Sequence, residues 1–350
     1  MYEKTLLLFI IINIPIVFFY NQLVKFINIY DIPDNIRKLQ KKRVPLFGGI
    51  LIIYNFFFYI FLDYFFNLNS YEYFFNTREY FAFFFGIFGF FLIGLYDDKY
   101  DLSPTKKLAF NSFLIFFLVL VDETLLINNL QFSFLTHSIE LRNLSYLFTI
   151  LCILLFINAL NMFDGINFQA GLYCILIFIF FFIKDFYNFI NLILILTLIL
   201  FLIFNRLDKA YLGDAGTQVL AFLISYILIK THNVNSNISP DEIFVILSFP
   251  GIDMFRLFLS RIIKGKHPFI ADRNHMHHLI SIKIGQISVV FIIQGTIIIN
   301  FLAMSIRGVG IAQGGEYCRR RVLLHPPVTY DLCFLFIFSD FNPFSFSKKI

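Results

Sequence analysis

Ten apolar runs leave this chain little choice of solvent: near residues 5–24, 46–64, 80–96, 108–121, 145–160, 165–183, 188–205, 212–229, 242–263 and 286–306. A helix that crosses a bilayer uses about 20 predominantly apolar residues. Composition agrees, with 59% of the 350 residues hydrophobic and 15% charged, whereas a soluble domain carries roughly 25% charged residues. Outer-membrane barrel strands alternate over segments of about 10 residues, and these runs do not alternate. No internal repeat is visible. The expected fold is therefore all-α, a polytopic integral membrane protein of about ten transmembrane helices over 1–306. Residues 307–350 form an atypical tail whose apolar run, DLCFLFIFSDF, is too short for a span. The tail reads as a divergent terminus or the product of a frameshift or truncation.

At the N-terminus a single basic residue, Lys4, precedes the first apolar run, and no small-residue cleavage site follows. That reads as a retained span rather than a signal peptide. Cys152, Cys174, Cys318 and Cys333 have no metal-ligand spacing, and the first two sit in apolar runs, where cysteine is a packing residue. The 52 phenylalanines and absent tryptophan read as codon bias.

Where the charges fall matters more than the net +5. Basic residues in short loops mark the cytoplasmic side. The loops after spans one, three, seven and nine hold seventeen of them: Lys25, Arg37, Lys38, Lys41, Lys42 and Arg43; Lys99, Lys106 and Lys107; Arg206 and Lys209; and Arg256, Arg261, Lys264, Lys266, Arg273 and Lys283. The opposite side holds Lys4, Arg78, Arg142, Lys184 and Lys230. The expected orientation places the N-terminus outside and the odd loops in the cytoplasm. The positive charge then signals topology and phosphate binding, and no nucleic acid is required.

Every polar cluster that can carry chemistry falls in an odd loop: VPLFGG (44–49), GLYDDKYDLSPTKKL (94–108), NALNMFDGINFQAG (158–171), YLGDAGT (211–217) and KGKHPFIADRNHMHH (264–278). Adjacent carboxylates Asp97 and Asp98 at the end of an apolar span need a cation, a proton or a base, or else are a solvated pair marking the interface. Lys106 and Lys107, after the Ser103-Pro104 helix start, hold a phosphate or simply obey the positive-inside rule. Asn158, Asn161, Asp164 and Asn167 recur every third residue. On a helix they make one polar stripe suited to Mg2+ or to a nucleobase; alternatively they are a capping cluster ended by Gly165. Asp214, flanked by Gly213 and Gly216, is a reasonable seat for a metal bound to diphosphate. Arg273, His275, His277 and His278 offer donors for phosphate oxygens, with zinc the lesser alternative because no Cys lies near. Asp253 and Arg256, one helical turn apart, read as a structural pair.

Taken in order, these five motifs resemble the polyprenyl-phosphate N-acetylhexosamine-1-phosphate transferases, glycosyltransferase family 4, over roughly residues 40–300. The resemblance implies an enzyme of the cell (inner) membrane with a cytoplasmic active site built from five loops. Its acceptor is a polyprenyl phosphate in the lipid bilayer, and its donor a UDP-amino sugar. The lipid phosphate attacks the β-phosphorus and UMP leaves, with Mg2+ present and Mn2+ a substitute; a homodimer is also compatible. By position, Asp97 and Asp98 match the pair linked to acceptor activation or phosphate positioning, and Lys107 a phosphate-contacting lysine. Asn161 and Asp214 match metal ligands, and Asp164 an acidic residue once proposed as a nucleophile. Asn158 joins the substrate-binding set, and Asn167 matches a uracil-contacting position, although Phe168-Gln169 replaces a common Gly-Leu there. Arg273, His275, His277 and His278 match the last cytoplasmic loop, in a form closer to GlcNAc-type enzymes than to the MurNAc-pentapeptide branch. A transporter or flippase for a phosphorylated lipid is the competing reading, since the same basic loops could bind headgroups.

Overall fold

The computed structural model describes residues 2–33, 42–66, 74, 76–235, 238–265 and 275–313. Arg273 and residues 314–350 of the tail lie outside that set. Helices dominate, beginning with α1 (Tyr2–Phe18), α2 (Tyr20–Ile27), α3 (Gly48–Phe66), α4 (Thr77–Tyr100), α5 (Pro104–Val121) and α6 (Ser145–Phe163). They continue with α7 (Gln169–Ile183), α8 (Asn188–Arg206), α9 (Gly213–Lys230), α10 (Pro240–Ile263), α11 (Met276–Ile284) and α12 (Gln286–Gln313). Two short antiparallel pairs punctuate them, β1 (Tyr30–Asp31) with β2 (Val44–Pro45) and β3 (Asn129–Leu130) with β4 (Ile139–Glu140).

Each of the ten apolar runs is helical. Among the described residues, six helices are long and apolar enough to cross a bilayer: α4, α5, α6, α8, α10 and α12. The pair α1 and α2, bent by 67°, makes a seventh if it is one broken span. The expected ten exceeds this number for physical reasons. The apolar stretches 48–62 of α3 and 169–183 of α7 are short, and α9 carries Asp214 and Lys230 at its two ends. The chain is a multi-pass, all-α membrane protein.

The chain divides into two compact units, one of residues 1–130 with 139–238, the other of 131–138 with 239–350. In the first, α9 is buried from Ala215 to Lys230 and packs on α3, α4 and α6. Close approach to α4 depends on Gly94, where a Cβ would lie 2.5 Å from the Ala215 Cα. The segment before α3 is stitched to the turn before α9 by backbone bonds. Gly48 donates to the Tyr211 carbonyl at 2.9 Å, Gly49 to Leu212 at 3.2 Å, and Tyr211 to Pro45 at 3.0 Å. VPLFGG thus acts through its backbone, bracing the loop that presents Asp214.

The far end of α9 holds a charge cluster sealed from solvent. Lys230 Nζ lies 2.6 Å from Glu79 Oε2 and 3.6 Å from Asp122 Oδ2, and it also donates to the Thr124 hydroxyl. Tyr226 Oη donates to Asp122 at 3.2 Å. Lys230, expected in a loop, is instead a buried helix-end cation.

In the second unit, Ser133 donates to the Asp241 carboxylate through its backbone at 2.9 Å and its hydroxyl at 2.6 Å, tying 131–138 to the first turn of α10. Pro240 opens that helix, and Glu242 reaches back to accept the Ser239 N–H at 2.8 Å.

Candidate active site

Cations are disfavoured at a helix N-terminus, yet Lys107 lies in the first turns of α5. Two carboxylates offset the cost. Its Nζ is 2.7 Å from Asp97 Oδ2 and 2.7 Å from Asp214 Oδ2. The remaining Asp97 oxygen accepts the Leu102 N–H at 2.7 Å, which fixes the carboxylate across the turn from α4 to α5.

Asp98 serves a different partner. Its Oδ1 accepts the Asp214 N–H at 2.7 Å and its Oδ2 the Ala215 N–H at 3.0 Å. The first N–H groups of a helix have no partner within it, and the helix dipole favours an anion there. Asp98 therefore caps α9 from the end of α4. Gly213 makes room for it: its φ is +66°, and a Cβ would meet Asp98 Oδ2 at 2.6 Å.

The third cluster enters from α6. Asn161 donates its amide to Asp214 Oδ1 and to Thr217 Oγ1 at 3.2 Å. The continuous stripe expected from the three-residue spacing does not form, because α6 ends at Phe163. Asp164 is the cap residue with ψ 58°, and Phe168 takes a left-handed conformation. Asn158 bonds the Leu154 carbonyl one turn back at 2.7 Å, and Asn167 donates to Asp208 at 2.8 Å. Burial, and secondarily the charges of Asp98 and Asp31, push the Asp164 carboxyl up to about 7. Burial likewise pushes the Tyr211 phenol up to about 12, with Asp208, Asp31 and Asp164 adding to it.

One unit thus gathers Asp97, Asp98, Lys107, Asn161 and Asp214 around the head of α9, while Asn158 and Asn167 point to other partners. Mg2+ takes hard oxygen donors such as carboxylate, amide oxygen and substrate phosphate. Asp97, Asp214 and the Asn161 amide meet that requirement. The two carboxylates also outnumber the one ammonium they share, so a divalent cation fits the local charge. Asp214 is the most accessible of the three ionic groups, with 23% of its side chain exposed against 14% for Lys107 and 6% for Asp97.

The histidine segment belongs to the second unit. His275 Nδ1 lies 3.0 Å from Asp253 Oδ2, and its ring stacks on that of His277 with centroids 5.3 Å apart. His278 lies on α11, but its side chain, like Arg273, is outside the described residues. Arg256 pairs with Asp253 at 3.0 Å.

Sequence reasoning missed several partners. Thr217 sits one turn beyond Asp214 and closes the YLGDAGT cluster, but nothing in that pattern marks it for a role. Asp208 faces Asn167 only after the chain folds. Asp253 read as half of a local pair, although its stronger signal was a carboxylate kept inside an apolar span. Glu79, in the first turn of the apolar α4, offered a similar signal.

Residues 80–232, which contain Asp97, Asp98, Lys107, Asn161, Asp164 and Asp214, match the model of glycosyl transferase family 4. Fold and match together define the class: a multi-pass membrane protein carrying a glycosyl transferase family 4 region. More particularly, the chain is a distant homologue of bacterial undecaprenyl-phosphate alpha-N-acetylglucosaminyl 1-phosphate transferases. It is 28% identical to the Escherichia coli (strain K12) protein over 276 residues, covering 75% of this chain and 72% of that one. It is 28% identical to the Salmonella typhimurium (strain LT2) protein over 297 residues, covering 81% and 76%. A shorter stretch of 77 residues, 22% of each chain, is 38% identical to the Pasteurella multocida (strain Pm70) protein.

Proposed function

We propose that the chain transfers an N-acetylhexosamine-1-phosphate from a UDP-sugar to a polyprenyl phosphate, releasing UMP and initiating a lipid-linked cell-envelope glycan. The observation that carries this reading is the pairing of Lys107 with both Asp97 and Asp214 at the head of α9, which Asp98 caps. Two anionic phosphates must meet there, and positive groups aimed at the developing charge lower the barrier to in-line displacement. A lipid phosphate oxygen bonds to the β-phosphorus as the bond to the α-phosphate bridging oxygen breaks, and UMP leaves with that electron pair.

Asn161 and Asp214 would hold Mg2+, which when bound neutralises phosphate charge. Lys107 holds a phosphate oxygen, and Asp97 orients Lys107. Asp98 positions Asp214 by fixing the first turn of α9. Asp164, with a carboxyl near 7, is suited to take a proton from the lipid phosphate, because a base works best when its pKa lies near the operating pH. On the family resemblance Asn158 and Asn167 serve the substrates, and Arg273, His275, His277 and His278 bind the donor. The transferase body is residues 1–306, a multi-pass membrane domain with the N-terminus outside and the chemistry in the cytoplasm, where UDP-sugars are found.

The test is UMP release by purified protein given UDP-GlcNAc, undecaprenyl phosphate and Mg2+. Turnover that disappears without the lipid phosphate is the expected result. Failure to turn over any UDP-amino sugar overturns the reading and leaves the transporter as the better one.

A further inference from the structure

Asn111 of α5 and Gln218 of α9 are both 0% exposed. Among the described residues, neither Nδ2 and Oδ1 of Asn111 nor Nε2 and Oε1 of Gln218 has a hydrogen-bond partner. Asn13 and Asn55, by contrast, are buried amides that bond to each other at 2.8 Å and 3.2 Å. Removing polar groups from water without giving them partners costs free energy.

Helical spacing puts the two amides at one level. Lys107, Asn111 and Leu118 share a face of α5, and Asp214, Gln218 and Phe222 share a face of α9. These faces come together on either side of the amides. Above, Lys107 Nζ is 2.7 Å from Asp214 Oδ2; below, Leu118 and the Phe222 ring both pack against Gly86 of α4. The two helices therefore run side by side away from the head. Asn111 follows Lys107, and Gln218 follows Asp214, by four residues, about 6 Å along each helix. Both α4 and α6 pack on α5 and on α9, which keeps bulk solvent out of this layer.

Two neutral amides above an apolar floor have no charge with which to offset an ion. Water, in contrast, supplies both the donors and the acceptors that the amides lack. We propose that Asn111 and Gln218 bind water within the helical core, and that this water bridge fixes the register of α5 against α9 so that Lys107 meets Asp214. The bridge rests on the buried amides alone. Its effect on turnover rests on the transferase reading, which places Lys107 and Asp214 at the reaction.

Radiolytic hydroxyl-radical footprinting of the full chain in detergent reads bound water directly, because radicals form from the water beside a buried side chain. Phe222, 1% exposed, leans back over the turn that carries Gln218. It is expected to be hydroxylated clearly faster than Phe178 and Phe181 of α7, which are 0% exposed. Asn111→Leu and Gln218→Met each leave the other amide and its water a partner short. Each is expected to lower Tm, and to lower kcat/KM by up to about 100-fold, the scale of an error of about 1 Å in placement. The double variant leaves no unpaired amide, so its Tm is expected to return to near the wild-type value. Its kcat/KM is expected to stay low, and the fast hydroxylation of Phe222 to be gone. Tm losses that simply add in the double variant overturn the inference, as does a Phe222 hydroxylated no faster than the two controls. Coupled Tm losses without that hydroxylation also overturn it, in favour of a direct bond between the amides. Wild-type kcat/KM in the double variant overturns the positioning role. Wild-type protein that turns over no UDP-amino sugar, yet shows the footprint and the coupled Tm losses, overturns the transferase reading and supports the water site.

Discussion

The two ends of α9 carry the same charge arithmetic and opposite access. At the head, Lys107 sits between Asp97 and Asp214; at the tail, Lys230 sits between Glu79 and Asp122. Each is one lysine shared by two carboxylates, and the ends are about 25 Å apart at 1.5 Å per residue. The tail side chains are 2%, 2% and 0% exposed, whereas Asp214 at the head is 23% exposed. Thr124, Tyr226 and Asn76 add hydrogen bonds to the tail cluster. At the head, Asp214 and Lys107 keep part of their surface exposed, so the surplus negative charge is not sealed as it is at the tail. Ion pairs in an apolar span therefore do not by themselves mark a functional site; access separates the two.

The largest effect is expected from Asp214→Asn. The head should lose at least about 1000-fold in UMP release, the scale of removing one preorganised electrostatic group, while the thermal unfolding midpoint in detergent stays near that of the wild type. Retained activity breaks the assignment of the head as the reactive end. Next comes Lys230→Met, which strands Glu79 and Asp122 in a sealed pocket. Breaking a buried pair from one side costs about 3 kcal/mol. The loss should appear in chemical denaturation, with turnover per folded molecule unchanged. A large fall in kcat without loss of stability would make the tail a second functional site and erase the contrast.

Asp98→Asn sharpens the comparison because Asp98 belongs to both worlds. An amide offers one acceptor where the Asp214 and Ala215 N–H groups need two. The expected cost is about 1–2 kcal/mol of stability, together with about a 100-fold fall in UMP release as Asp214 loses its register. An unchanged Tm would show that the cap is dispensable.

Much of this contrast was legible in the sequence, but unevenly. The apolar runs located the helices, and the tight turns around Gly213 and Gly165 placed Asp214 and Asp164 at helix ends. A span count was harder to read: the apolar stretches of α3 and α7 are short, and burial by neighbouring helices lets α9 keep a charged residue at either end. The sealed tail escaped detection because its partners come from residues 79, 122 and 230, separations over which no local pattern extends. Asp253 and His275 were each visible, yet only packing of α10 against the start of α11 joins them. Conversely, the three-residue spacing of Asn158, Asn161, Asp164 and Asn167 suggested a helical stripe that ends early, since periodicity carries no information about where a helix stops unless its cap is read as well.

The smallest effect, on stability against pH, tests the open end without using turnover. An acid whose native carboxyl sits near 7 binds a proton in the folded state at pH values where the unfolded chain, near 3.9, has already released it. Stability falls with rising pH wherever the native state holds more protons. The wild type, stripped of divalent metal with EDTA, should therefore lose stability from about pH 4 to about pH 7 and level off above that. Asp164→Asn lacks this titration, so its Tm advantage over the wild type should grow across that interval and then stay constant. Partial exposure of Asp164 screens the penalty, which keeps the shift small. Added Mg2+ should shrink the advantage, because a cation near the head of α9 favours the ionised carboxylate. A Tm difference independent of pH would show that Asp164 titrates as an ordinary solvated acid, and would remove it from the groups proposed to serve the reaction at the head of α9.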